Sequence, residues 1–141
     1  LRRSVDGSGK LLGELQNKLK YIKTAIETTP NVDLNLLNNV KALETKIKTT
    51  EIALWGDGEM AKHQYETYPG LDERIGVVIY GIWNSTATPS TTAKNNIKIA
   101  KEEYVPVLAA IQSYVKEIEA LEKTMGTTPY TPGRGEEWKE E

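Results

Sequence analysis

The one histidine of this chain, His63, stands near Asp57, Glu59 and Glu66, a set that could in principle ligate a metal ion or form a general base. One imidazole is a poor start for either. Protein metal sites that use histidine draw on further nitrogen or sulfur ligands, and the carboxylates here follow neither an HExxH nor a DxDxDG spacing. The reading that follows is a surface histidine. Further along, Glu102, Glu103, Glu117 and Glu119 could supply the carboxylate pair of a glycosidase, which needs two such groups roughly 5 to 10 Å apart around a sugar cleft. These four fall on or beside the polar face of an amphipathic helix, where solvated charges are the ordinary outcome. No GxSxG, phosphate loop or GxGxxG is present, since GDG and GRG lack the strand and helix that must flank them. The expectation is therefore no catalytic residue, no cofactor and no metal site.

The other side chains with chemical potential are aromatic. Trp55, Tyr65, Tyr68, Tyr80 and Trp83 could stack on the apolar faces of pyranose rings. Trp55, Tyr80 and Trp83 are expected instead to pack in the core at one end of the fold. Tyr65 and Tyr68 lie in an aperiodic loop and are the better candidates for contact with something outside. With His63, and with Tyr130 of the tail, they form the candidate docking surface, rimmed by Asp57, Glu59, Lys62 and Glu66. Asn84-Ser85-Thr86 matches an N-glycosylation sequon but serves equally as a helix-capping loop.

These residues gather between Gly56 and Pro89, a stretch that holds five of the eleven glycines and is the only part without a helical period throughout. The elements that must position it are helices. Leu12, Leu15, Leu19, Ile22 and Ile26 recur at alternating spacings of three and four, which keeps one stripe on a partner. Ser8 can cap this first helix and Thr28-Thr29-Pro30 stops it, giving about 8–28. Asp33 caps a second helix over about 33–55, with the stripe Leu36, Val40, Leu43, Ile47, Thr50 and Leu54, and Gly56 ends it in a left-handed conformation.

Asp57 to Gly70 reads as a long polar loop. The following LDERIGVVIYGIW fits either a strand or a helix by composition. A short helix over about 72–83, capped by Asp72, is preferred because a lone strand would have nothing to pair with. A last helix, about 88–125, opens at Thr88-Pro89 and carries Ala93, Ile97, Ala100, Tyr104, Val107, Ile111, Tyr114, Ile118, Leu121 and Met125 on one stripe, with Pro106 expected to bend it. At about 55 Å it would overhang the first two helices, at about 30 to 35 Å, and the Gly56–Pro89 stretch is the segment able to cover the excess. The predicted fold is all-α: an antiparallel three-helix bundle with a short extra helix in the 57–88 connection and an extended tail over 126–141.

Length and composition narrow the function classes. A chain of 141 residues makes one domain with a core of its own, and with no cysteine it has neither disulfides nor thiolate chemistry. Eighteen basic and twenty acidic residues leave a net charge of −2, without the positive field that nucleic acid demands. The longest apolar run, residues 75–83, is too short to span a membrane. The opening LRRSVDGSGK has neither methionine nor an apolar signal core, so the chain reads as a domain excised from a larger protein.

Over ALWGDGEMAKHQYETYPGLDERIGVVIYGIWNSTATPSTTAKNN, the TTPNVD connection, PYTPGR and Trp138, the chain resembles the C-terminal helical region of bacterial BNR-repeat proteins. These are exported, sortilin-like β-propeller proteins, common in Bacteroidetes and often described as glycosyl hydrolases. The resemblance covers nearly the whole chain, most specifically DERIGVVIYGIWNST and PYTPGR. It implies a propeller upstream, export, and a helical appendage without catalytic residues of its own. The expected function is a non-catalytic interaction or structural module that packs on its own propeller or another protein. The alternative is a carbohydrate-binding or catalysis-assisting domain that uses the loop tyrosines.

Overall fold

The computed structural model of the chain describes residues 1–130; the expected extended course of 131–141, with Trp138, lies outside the described residues. Five helices follow one another: α1 (Arg2–Thr28), α2 (Asn35–Trp55), α3 (Gly58–Lys62), α4 (Leu71–Trp83) and α5 (Thr91–Met125). No strand occurs among the described residues, and the ambiguous LDERIGVVIYGIW is helical. The fold is the expected all-α bundle.

Helices α1, α2 and α5 share one core, to which Leu12, Leu19, Ile22 and Ile26 of α1, Val40, Ile47 and Leu54 of α2, and Ile111 and Ile118 of α5 contribute fully buried side chains. These are residues of the sequence stripes, so the hydrophobic period locates most of this core; the fully buried Val5 of α1 lies outside the stripe as read. Two buried hydroxyl pairs join the helices to α5. Tyr104 Oη donates to the Ser4 carbonyl at 3.0 Å and lies 2.8 Å from Ser8 Oγ on α1. Thr50 Oγ1 on α2 donates to the Lys46 carbonyl and lies 3.0 Å from Tyr114 Oη. Each pair satisfies polar groups that would otherwise be costly in an apolar interior, and each fixes the height of a neighbouring helix against α5.

Several boundaries differ from expectation. Ser8 does not cap α1; it is buried within it, and the helix starts six residues earlier. The α1 stripe continues upward through Leu1, Val5 and Ser8, with serine occupying an apolar slot because Tyr104 supplies its partner. Asp72 does not cap α4. Gly70 takes that position because the chain there crosses α2 too closely for a side chain, and Asp72 instead pairs with Arg2 of α1. Ser90 replaces Thr88-Pro89 at the start of α5, with its hydroxyl accepting from the Ala93 amide at 3.1 Å. Gly56 has the expected positive φ of 84°, but its ψ of 167° is extended and sends the chain away from α2; Gly126 has the left-handed geometry expected at a helix end. Helix α5 runs unbroken through Pro106.

The overhang is real and α4 covers it. At 1.5 Å per residue, α5 is about 52 Å long, α1 about 40 Å and α2 about 31 Å. Leu71, Ile75 and Val78 of α4 are buried where α5 extends past the end of α2, and Arg74 joins Glu103 of α5 at 3.3 Å. The last turns of α4 and the first turns of α5 extend beyond the start of α1 as a two-helix tip.

Candidate functional site

The segment from Asp57 to Gly70 departs from α2 and returns to it. A side-chain carbon added at Gly70 would lie 2.6 Å from the Trp55 carbonyl carbon and 2.8 Å from the Leu54 oxygen, so only glycine permits the crossing. The ends of the segment therefore meet, and it forms a closed surface loop of the Ω kind. Within it stands α3, a single turn that the sequence reading missed. Asp57 Oδ1 accepts from the amides of Glu59 and Met60 to start the turn, and Gln64 at φ 59° ends it with a bond from the Tyr65 amide to the Met60 carbonyl. Five residues are too few for a hydrophobic period; the Asp57 cap was the only legible signal.

Of the candidate docking residues, His63 ends α3 and is exposed, and Tyr65 and Tyr68 are also exposed, with 92% of Tyr68 open to solvent. Tyr68 edges an apolar groove of about 390 Å³ between Ile52 of α2, Leu71 and Arg74 of α4, and Pro106 and Val107 of α5. Tyr130 lies elsewhere. Its ring stacks on Tyr21 at a centroid separation of 4.8 Å and 2° between planes. Tyr21 is about 18 Å further along α1 than Gly9, against which Trp55 packs at the root of the loop. The fold thus keeps His63, Tyr65 and Tyr68 on one loop and, contrary to the expected docking surface, leaves Tyr130 near the opposite end of the bundle, stacked on Tyr21.

The expected placement of Trp55, Tyr80 and Trp83 in the core is overturned. Trp55 covers Gly9 of α1 with one face only, and Tyr80 and Trp83 are 74% and 85% exposed. Helix α4 has apolar residues on both faces, and the bundle has room for one. The inner stripe of Leu71, Ile75 and Val78 takes the buried position, which turns Tyr80 and Trp83 outward. Val77 and Ile79 flank them, also exposed. Beside them a second groove of about 400 Å³ runs between Val77, Gly81 and Ile82 of α4 and Pro89, Ala93 and Asn96 at the start of α5.

The carboxylates weighed as catalytic acids occupy helix surfaces. Glu103 pairs with Arg74, Glu117 with Lys46 at 2.8 Å, and Glu102 lies 4.0 Å from Lys98. Among the described residues, no three histidine or acidic side chains converge to hold a metal ion, and no helix is long and apolar enough to cross a membrane. What the end formed by α3, α4 and the start of α5 offers chemically is aromatic and aliphatic surface bordered by charge. Compared with known proteins, the chain matches no family model, no curated protein and no solved structure.

Proposed function

We propose that this chain is a non-catalytic interaction module, the helical appendage of an exported BNR-repeat, sortilin-like propeller protein of the kind described as glycosyl hydrolases. Its docking surface is the end of the bundle built by residues 56–89, and its partner there is the upstream propeller. The observation that carries the reading is the concentration of exposed large apolar side chains at that end: Met60, Tyr65, Tyr68, Val77, Tyr80, Ile82 and Trp83. Exposed large apolar side chains gathered at one end of a fold are characteristic of interaction sites. The Gly56–Gly70 crossing supports the reading further, because it closes the loop that presents Tyr65 and Tyr68 and so lowers the entropy lost on binding.

One observation favours a second reading, in which the chain binds carbohydrate. The Tyr68 groove combines an aromatic face with the Arg74 and Glu103 pair, a pairing of stacking surface and polar groups that suits a sugar ring.

A titration of the chain against the propeller, supplied as a separate polypeptide, tests the proposal. The Tyr65→Ala, Tyr68→Ala double variant should keep the thermal midpoint of the parent and lose affinity for the propeller. Loss of stability with binding intact would remove the tyrosines from the docking surface. Binding of an oligosaccharide, lost in the same variant, would favour the second reading.

A further inference from the structure

At the end of the bundle away from α4, the chain after α5 meets α1 through two tyrosines. The connection that brings them together is short. Gly126, left-handed at φ 68°, ends α5, and only Thr127, Thr128 and Pro129 separate it from Tyr130. Tyr130 stacks on Tyr21, three residues along α1 from Lys18, whose ammonium group lies 3.3 Å from the Glu122 carboxylate of α5. The glycine reversal, the proline and that ion pair hold both segments, so the rings meet in a fixed frame. Their centroids are 4.8 Å apart and their planes 2° from parallel. Stacked rings in van der Waals contact are about 3.5 Å apart, so this pair is offset sideways by about 3 Å, with the edge carbons of each ring over the face of the other.

That arrangement suits one reaction in particular. A phenol that loses an electron and its hydroxyl proton becomes a phenoxyl radical, with spin on the ring carbons beside the one that bears oxygen. The spin occupies π orbitals, so two such radicals bond along the normal to their planes, and parallel facing rings are already close to the coupling geometry. The other tyrosines lack this combination of access and proximity. Tyr104 and Tyr114 are buried, with their hydroxyls beside Ser8 and Thr50. Tyr65, Tyr68 and Tyr80 are exposed, but no second tyrosine stacks on any of them among the described residues. Tyr21 is 49% exposed and Tyr130 is partly so, which leaves the pair open to an oxidant.

We propose that Tyr21 and Tyr130 are a site of oxidative cross-linking, joined Cε to Cε as dityrosine by a haem peroxidase acting with hydrogen peroxide. Each tyrosine gives up one electron and its hydroxyl proton. The peroxide takes up the two electrons and two protons and leaves as two molecules of water. The two radicals then form one carbon–carbon bond, and the hydrogen on each newly bonded carbon moves as a proton to the oxygen of its own ring, which restores both phenols. The bond fixes the chain beyond α5 to α1 and closes a loop that spans most of the sequence. A chain without cysteine has no disulfide for that purpose, and the new bond would constrain the unfolded state in the same way. The inference concerns this end of the bundle alone and stands independently of whether the other end docks on a propeller.

Treatment of the full chain at low concentration with a haem peroxidase and limiting hydrogen peroxide tests it. Dityrosine fluorescence, intact mass and a tryptic map are the readouts. The expected product is a monomer lighter by two hydrogens, with one peptide pair joined through Tyr21 and Tyr130, in a yield that does not change on dilution. Oxidation of methionine or tryptophan adds mass instead and is told apart. Tyr21→Phe and Tyr130→Phe each keep a ring to stack but lack the oxidisable hydroxyl; either should lower the in-chain product about tenfold or more while the thermal melt stays that of the parent. Unfolding the parent in denaturant before oxidation should lower it likewise. The Tyr65→Ala, Tyr68→Ala variant should cross-link like the parent, so failure here and failure of propeller docking are separately visible. A monomer that never loses the two hydrogens would overturn the inference, as would an in-chain bond that survives both phenylalanine substitutions or cross-linking that occurs only between chains.

Discussion

At the scale of single residues, the most informative side chains are those whose partner lies far away in the sequence. Ser8 illustrates this. A serine beside glycine at the edge of an apolar period resembles a helix cap, because nothing local reveals that Tyr104, 96 residues later, offers it a buried partner. Removing that hydroxyl by Tyr104→Phe should cost about 1 to 2 kcal/mol, since it leaves both the Ser8 hydroxyl and the Ser4 carbonyl short of a partner. A denaturant titration of the variant against the parent measures it. Gly70 makes the sharper case. Gly70→Ala should lower stability by more than the Tyr104 substitution, or open the 57–70 loop to proteolysis, because the added methyl meets backbone atoms of residues 54–56 that cannot move aside. Limited proteolysis followed by mass mapping would show which.

At the scale of elements, the long helices were legible and the short ones only in part. A stripe that repeats over five or more turns leaves one answer, which is why the buried residues of α2, of α5 and of α1 from Leu12 onward fall on the expected stripes, while Val5 and Ser8 at the start of α1 were missed. Ile111, fully buried in the middle of α5, tests that register: Ile111→Asp should destabilise the fold by about 4 kcal/mol or more through an unpaired buried charge. An unchanged melting midpoint would contradict it. In α4 the period is equally clear but double. Hydrophobicity shows that Tyr80 and Trp83 share a face; it does not show whether this chain supplies that face with a partner, and among the described residues none covers it. Near the exposed end of α4, a side chain at Gly81 would meet nothing within 4 Å. Gly81→Ala should therefore raise stability by about 0.5 to 1 kcal/mol, by restricting the unfolded chain. A fall in the melting midpoint would mean that Gly81 makes a contact its surroundings do not show.

At the scale of the whole molecule, the two ends of the bundle differ in kind. Toward the ends of α1 and α5, Lys18 pairs with Glu122 and Tyr130 closes over Tyr21, so the chain satisfies itself. At the other end, α5 outruns both partners, and α4, which covers it, turns a second apolar face outward. The central claim is that this end is the docking surface. The most direct measurement is amide hydrogen exchange of the chain with and without the proposed partner, a BNR-repeat propeller supplied as a separate polypeptide. The account predicts that peptides from residues 57–83 gain protection on binding, while those from the middle of α1 and α2 exchange as before. Protection gained along the sides of the bundle, with residues 57–83 unaffected, would contradict it.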